Sequence, residues 1–369
     1  MRIVFYVSGH GFGHASRDVE LIRAICAQRP DARIIVRTSV PRWLFASVAG
    51  AAVEVQALET DTGLVQLDSL RVDEEETARQ AARFFADFDH RVAIEAELIR
   101  GVRADLVVGD IPPLACAAAA RAGVPSVAIA NFTWDWIYGI YAAFDRLAPD
   151  VIPAIRRAYA TSTRALRLPL HGGFEPMAAV TRDIPFIARR SRRDPADTRR
   201  RLGLGGDRPI VLPSFGGHGA DLPIEALRRS GRFTLIEPVH EPPAGLVYQD
   251  LVAAADVVVS KPGYGIVSEC VANGTALLYT SRGRFIEYDL FVAEMPRILR
   301  CRYISQQDLF AGRWADAIDA LVAQPPPPER PAVNGAEIAA DEIMNRGIME
   351  SGNHGIGESG NRGIGESDN

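Results

Sequence analysis

The chain has 369 residues, 47% of them hydrophobic and 24% charged, with a formal net charge of −5. This is a globular composition at a length that suggests two domains, and the negative balance disfavours bulk binding to nucleic acid or to an anionic membrane. No apolar run approaches the ~18 residues of a membrane span, the N-terminus reads as a strand and not as a secretory signal, and four scattered cysteines without a CxxC pair read as reduced core residues of a cytoplasmic protein. A peripheral membrane contact is left open but not indicated.

In chain order, apolar runs predict a strand over 3–8, a helix over 15–27 and a strand over 33–38. A long amphipathic helix follows within 73–100, then a strand over 105–110, a helix over 114–122 and a strand over 124–131. Pro, Gly and Arg accumulate from 168 to 195, which marks a linker. The alternation then restarts with strands over 210–215, 233–237, 256–260 and 276–280. Helices are expected over 248–255, 266–273 and 306–323. Near-continuous apolar strands separated by helices indicate an α/β protein with two parallel, Rossmann-like halves. The expected domains are 1–178 and 179–328. The proline run Pro325-Pro326-Pro327-Pro328 reads as the end of the fold. Residues 329–369, which carry three octapeptide repeats from Asn345, read as a disordered tail.

Three glycine-rich turns carry the chemistry. The first, Gly9-His10-Gly11-Phe12-Gly13-His14-Ala15-Ser16-Arg17, joins the first strand to the first helix. It lacks the last glycine of the dinucleotide fingerprint, and no acidic residue ends the next strand, so a nicotinamide cofactor is disfavoured. His14 at the helix start is a candidate general base. A His10/His14 metal pair has no third ligand nearby, so no metal is expected. The second turn holds Phe215, Gly216, Gly217 and His218. The third holds Lys261, Gly263, Tyr264 and Gly265 and leads into a helix whose first turn is expected to carry Ser268 and Glu269. Both turns can offer backbone N–H groups to phosphate, and Glu269 can accept two ribose hydroxyls. Asp110 and Asp135 follow strand ends and are expected to face the same cleft as His14, Asp110 orienting the histidine and Asp135 binding hydroxyls. Glu287 lies in what reads as a polar loop at another strand end. The pair Asp87/Asp89 matches a DxD pattern but reads as a solvated helix face, and the arginines at 189–193 and 199–201 read as linker and surface.

Taken together, GHGFGHASR, Asp110-Ile111-Pro112-Pro113, NFTWDWIY at 131–138 and SKPGYGIVSE at 260–269 resemble the GT-B glycosyltransferases. More narrowly, they resemble the glycosyltransferase-like region of L-arabinokinases, over most of residues 1–323. The first turn is also similar to that of a UDP-sugar hydrolase, and the turn-plus-glutamate arrangement to the MurG-like transferases. The resemblance implies a GT-B fold and a nucleotide diphosphate sugar, UDP-linked, as donor substrate, with no cofactor required. It implies His14 as base, the loops at 215–219 and 261–265 at the diphosphate, and Glu269 at the ribose; Gly13 and Arg17 are read as further nucleotide-sugar-binding residues, Arg17 with Lys261 at the leaving diphosphate. The usual Asp/Glu-Gln pair at the donor sugar is replaced by Glu287-Tyr288-Asp289. The expected activity is inverting transfer to an unknown hydroxyl acceptor. Hydrolysis or epimerisation of the nucleotide sugar, and nucleotide-sugar binding without catalysis, are the alternatives.

Overall fold

The computed structural model describes residues 1–351 apart from 51, 69, 217–220 and 238–241, with the backbone alone for 346–351. The first sheet has seven strands: β1 (Arg2–Val7), β2 (Arg33–Thr38), β3 (Val53–Ala57), β4 (Leu106–Asp110), β5 (Ser126–Ala130), β6 (Arg164–Arg167) and β7 (Thr181–Asp183). They are ordered β3-β2-β1-β4-β5-β6-β7 and every pairing is parallel. The second sheet has five: β8 (Ile210–Pro213), β9 (Thr234–Leu235), β10 (Val257–Ser260), β11 (Ala276–Tyr279) and β12 (Cys301–Tyr303). Their order is β12-β11-β10-β8-β9, again all parallel. In the first sheet β4 and β5 are buried along their whole lengths, as is β1 after Arg2. In the second, β8, β10 and β11 are buried throughout. Helices cover both faces of such strands, which is why their sequences are apolar without alternation.

Strand order reverses between β1 and β4 in the first sheet and between β8 and β10 in the second. At such switch points the connecting loops diverge and leave a crevice beyond the carboxyl ends of the strands. The two crevices face each other. A β-carbon added at Gly265 would lie 3.4 Å from the Gly13 Cα, so the third turn and the first turn approach to van der Waals contact across the cleft.

Several segments depart from the expected pattern. The long helix within 73–100 is two helices, Glu74–Ala86 and Phe88–Gly101, with Asp87 outside helical geometry between them. The helix expected over 306–323 is likewise two, Gln306–Phe310 and Ala315–Val322, separated by a turn that holds Gly312 at φ +72°. The stretch at 282–289, read as a polar loop, contains the first turn of the helix Ile286–Ile298.

The proline run does not end the fold, and the span 329–369 is not disordered from its start. The chain returns to the first half: Phe186 N–H donates to the Ala332 carbonyl, Ile187 bridges Asn334, and a helix runs over Gly335–Ser351. Ala336, Ala339, Ala340 and Ile343 recur at helical spacing and are buried against the core that includes Ile22 and Ile25. Glu342 takes ion pairs from both Arg164 and Arg182. This apolar stripe is the signal that the glycine-rich repeats after it obscured. The second and third repeats lie outside the described residues.

Candidate functional site

A cavity of about 770 Å³ occupies the space between the sheets and is lined from both halves. The helix Phe12–Gln28 starts at Gly11, whose φ of +80° suits glycine, and no side chain caps that start. Its first amides therefore have no partner within the helix, beside the side chains of His14 and Arg17.

His14 Nδ1 lies 2.8 Å from Asp110 Oδ1, which places the histidine at the end of β4. Arg17 grips the same carboxylate with two nitrogens, Nε at 2.5 Å from Oδ2 and Nη2 on Oδ1. Its Nη1 donates to Asn131 Oδ1 at 2.9 Å. Arg17 Nη2 also approaches His14 Nδ1 at 3.0 Å. One nitrogen cannot donate to the carboxylate and accept from arginine together. The shorter contact to a charged acceptor assigns the Nδ1–H tautomer, leaving Nε2 as the proton-accepting nitrogen of a ring that lines the cavity. Burial works against ionisation of Asp110, but Arg17 and His14 hold its carboxyl well below the usual carboxylate range. Beneath this group Asp18 is fully enclosed. Burial and the Asp110 charge push its carboxyl well up, and its Oδ2 finds no hydrogen-bond partner.

The network crosses to the second half. Asn131 Nδ2 donates to Glu287 Oε1 at 2.7 Å, and the Arg17 guanidinium sits over the Tyr264 ring at 5.1 Å. Burial raises Glu287, with Arg282 and the Asn131 bond opposing. Arg282 in turn stacks on Phe285 at 3.6 Å.

On the second half, β8 leads into Ser214, Phe215 and Gly216, the last at φ +70°. After β10 the chain runs through Lys261, Pro262 and Gly263 into the helix Tyr264–Asn273, whose start also lacks a side-chain cap. Its amides and positive dipole end face the cleft from the carboxyl edge of the sheet. Burial, then the neighbouring Arg282, lowers the Lys261 ammonium to about 7. Glu269 lines the cavity and is buried, and Arg189 Nε donates to it at 2.6 Å. Burial raises its carboxyl while Arg189 opposes. Arg189 also lies over the Tyr248 ring at 5.0 Å.

The cavity thus gathers Gly13, His14, Arg17, Gly216, Lys261, Gly263, Tyr264, Gly265, Glu269 and Glu287, with Asp110 directly behind His14. Asp135 does not join them. It is buried elsewhere in the first half, paired with Arg156 Nε at 3.0 Å, because the short helix Trp134–Tyr138 turns it away from the cleft. Ser268 also stays outside: its hydroxyl donates to the Gly265 carbonyl within the same helix. Gly217 and His218 lie outside the described residues. Asp87, between two helices, and Asp89, in the first turn of the second, do not line the cavity, and among the described residues no cluster of three His, Cys, Asp or Glu side chains is arranged to hold a metal.

Some lining residues escaped the sequence reading. Asp61, on the loop after β3, accepts from Ser8 Oγ at 3.0 Å and Trp134 Nε1 at 2.8 Å. It was missed because β3 itself was. Arg189 belonged to a run that read as solvated linker, yet it lies at the wall against Glu269. His10 packs edge-on against Trp134, and its Nδ1 accepts from the Leu64 N–H at 3.1 Å.

Two Rossmann-like sheets with opposed switch points and a shared cleft give the chain the GT-B fold, the fold of the solved glycosyltransferases it superposes on. Residues 1–135 match the family described as glycosyl transferase family 1. L-arabinokinase of Arabidopsis thaliana is 32% identical over 364 residues, covering 93% of this chain, and the chain spans 34% of that relative's length. Among solved structures, the glycotransferase of kitacinnamycin superposes with a TM-score of 0.59 at 19% identity, covering 94% of this chain and 98% of the other. The Phytolacca americana UGT2 complexed with UDP-2fluoro-glucose and pterostilbene gives 0.57 at 13% identity, covering 93% and 94%. CalG4, the calicheamicin glycosyltransferase, gives 0.54 at 15%, covering 95% of each chain. Among the described residues no helix is long and apolar enough to cross a membrane.

Proposed function

We propose that this protein is a metal-independent, inverting glycosyltransferase that moves a sugar from a nucleotide diphosphate sugar, UDP-linked, to a hydroxyl acceptor. The half with the seven-stranded sheet, which runs past the expected boundary at 178 to include Thr181–Asp183, holds the acceptor, and the half with the five-stranded sheet holds the donor. The observation that carries the reading is the His14–Asp110 pair facing an uncapped helix start across one cavity. His14 Nε2 takes the acceptor's hydroxyl proton as that oxygen bonds the anomeric carbon. The bond from that carbon to the diphosphate oxygen breaks on the opposite face, and the electron pair leaves with the nucleotide. Asp110 and Arg17 fix the ring, and Asp110 stabilises the imidazolium that forms. The growing diphosphate charge meets the amides at Tyr264 and Gly265 together with Lys261, groups already oriented before reaction. Glu269 takes the ribose hydroxyls once Arg189 gives way. Four free cysteines are in keeping with a cytoplasmic setting.

The test is to incubate the protein with UDP-, GDP- and TDP-sugars, with and without hydroxyl acceptors. Diphosphate release and the anomeric configuration of the product are read by NMR. UDP should raise the melting temperature by mass action, and release should require an acceptor and invert the anomeric centre. Release without acceptor would identify a hydrolase. No nucleotide binding and no release would overturn the reading. A second reading, nucleotide-sugar binding without turnover, draws on the relationship to a protein named for kinase activity, of which this chain matches a third. Tight UDP-sugar binding with no product after long incubation would establish it.

A further inference from the structure

The first-half wall of the cavity contains two hydrogen-bond acceptors that the donor does not use. Asp61 stands there, close enough to His14 for their charges to interact. Ser8, Trp134 and the Gly9 N–H approach its carboxylate. A carboxylate offers about four acceptor sites, so these leave one for a ligand. Its loop is held firmly, because buried Thr60 donates to the Val7 carbonyl at 3.0 Å. Gln66 lines the same wall, and its Oε1 is buried with no hydrogen-bond partner. Leaving a buried acceptor unfilled is unfavourable, and a ligand that donates a hydrogen bond removes that cost. Across from these groups Phe12 and Trp43 meet edge to face at 5.7 Å and give the cavity an apolar side.

We infer that this wall is an acceptor subsite for a polyhydroxylated ring, a sugar or cyclitol, whose hydroxyls donate to Asp61 and Gln66 while its C–H face lies along Phe12 and Trp43. A phenol or other single-hydroxyl acceptor spends its one O–H on His14, adds nothing to Asp61 and leaves Gln66 Oε1 without a donor. A polyol supplies one hydroxyl to react and others to fill them. The inference rests on the transferase reading for the hydroxyl that reacts, but the binding itself does not require a donor.

Saturation-transfer NMR on the full chain tests it, with and without UDP, using myo-inositol, D-galactose and L-arabinose against the single-hydroxyl compounds 4-nitrophenol and 4-methylphenol. At least one polyol should show saturation transfer and the phenols none. Asp61→Asn and Gln66→Leu should each weaken polyol binding at least tenfold. UDP affinity by calorimetry should stay within about twofold of the parent, which also reports that both variants fold. Phenol binding without polyol binding, unchanged polyol affinity in both variants, or no polyol signal at all would overturn the inference. Polyol binding without UDP binding would overturn the donor reading alone.

Discussion

The two glycine turns that meet across the cleft have the same backbone plan and opposite chemistry. Each follows a buried parallel strand and opens a helix whose start lacks a side-chain cap. In the first half the turn is crowded with ionisable side chains that hold one another, His14 on Asp110 and Arg17 on both Asp110 and Asn131. In the second half the offering is mostly backbone amide, with one lysine beside it. A turn that must receive a diphosphate gains from small residues and bare N–H groups, because the ligand supplies the charge. A turn that must move a proton needs its own charges, and these have to be compensated before any substrate arrives. The Rossmann turn thus serves either role, and the side chains just inside the helix decide which.

That contrast can be broken by removing its members. The largest expected effect comes from His14→Ala, which should lower kcat by roughly 10²–10⁴-fold while leaving UDP affinity within about twofold, read by turnover and calorimetry. Undiminished turnover would remove His14 from the proton transfer. Next is Asp110→Asn. It leaves buried Arg17 without its anionic partner, and breaking such a pair costs about 3–5 kcal/mol of stability, measured by denaturant unfolding. The same change should lower kcat by about 10²-fold or more as the tautomer preference is lost. The smallest effect is at Lys261. Its ammonium titrates at about 7 in the unliganded cleft, and a bound diphosphate favours the charged form. Binding therefore takes up a proton at and above that pH, so UDP affinity should fall as pH rises from 7 towards 9. In Lys261→Met the fall should flatten, at a cost of about tenfold in affinity at pH 7. Calorimetry in buffers of different ionisation enthalpy reads both, and an unchanged pH slope would mean that the lysine does not meet the diphosphate.

Fold class was legible because parallel strands buried on both faces leave uninterrupted apolar runs, as at 106–110 and 257–260. The three turns were legible because glycines, a helix start and ionisable residues coincide there. Asp110 could be expected at the site because its strand end is unmistakable. Asp135 was misjudged by the same rule: it also follows a strand, but the helix Trp134–Tyr138 turns its side chain to Arg156. Asp61 and Gln66 were hidden because β3 is only five residues long, with two apolar positions, Val53 and Val55, buried, so the loop that follows it has no marked strand end. Arg189 was hidden because an arginine run reads the same whether one member faces solvent or an acid across a linker. Pairings over such separations belong to tertiary structure and leave no local pattern.

The returning helix Gly335–Ser351 has a consequence for how this protein is made. It packs beside the helix Phe12–Gln28, which carries His14. On the ribosome the first sheet is complete soon after β7 emerges, yet that helix still shows water the apolar surface later covered by Ala339, Ala340 and Ile343. For the time needed to synthesise the entire second half, the exposed stripe must be tolerated or shielded, a setting in which chaperones act. The helix that brings His14 to the cleft is thus among the last elements of its half to receive all its neighbours. A chain that stalls before residue 335 carries a formed cleft on an unfinished support.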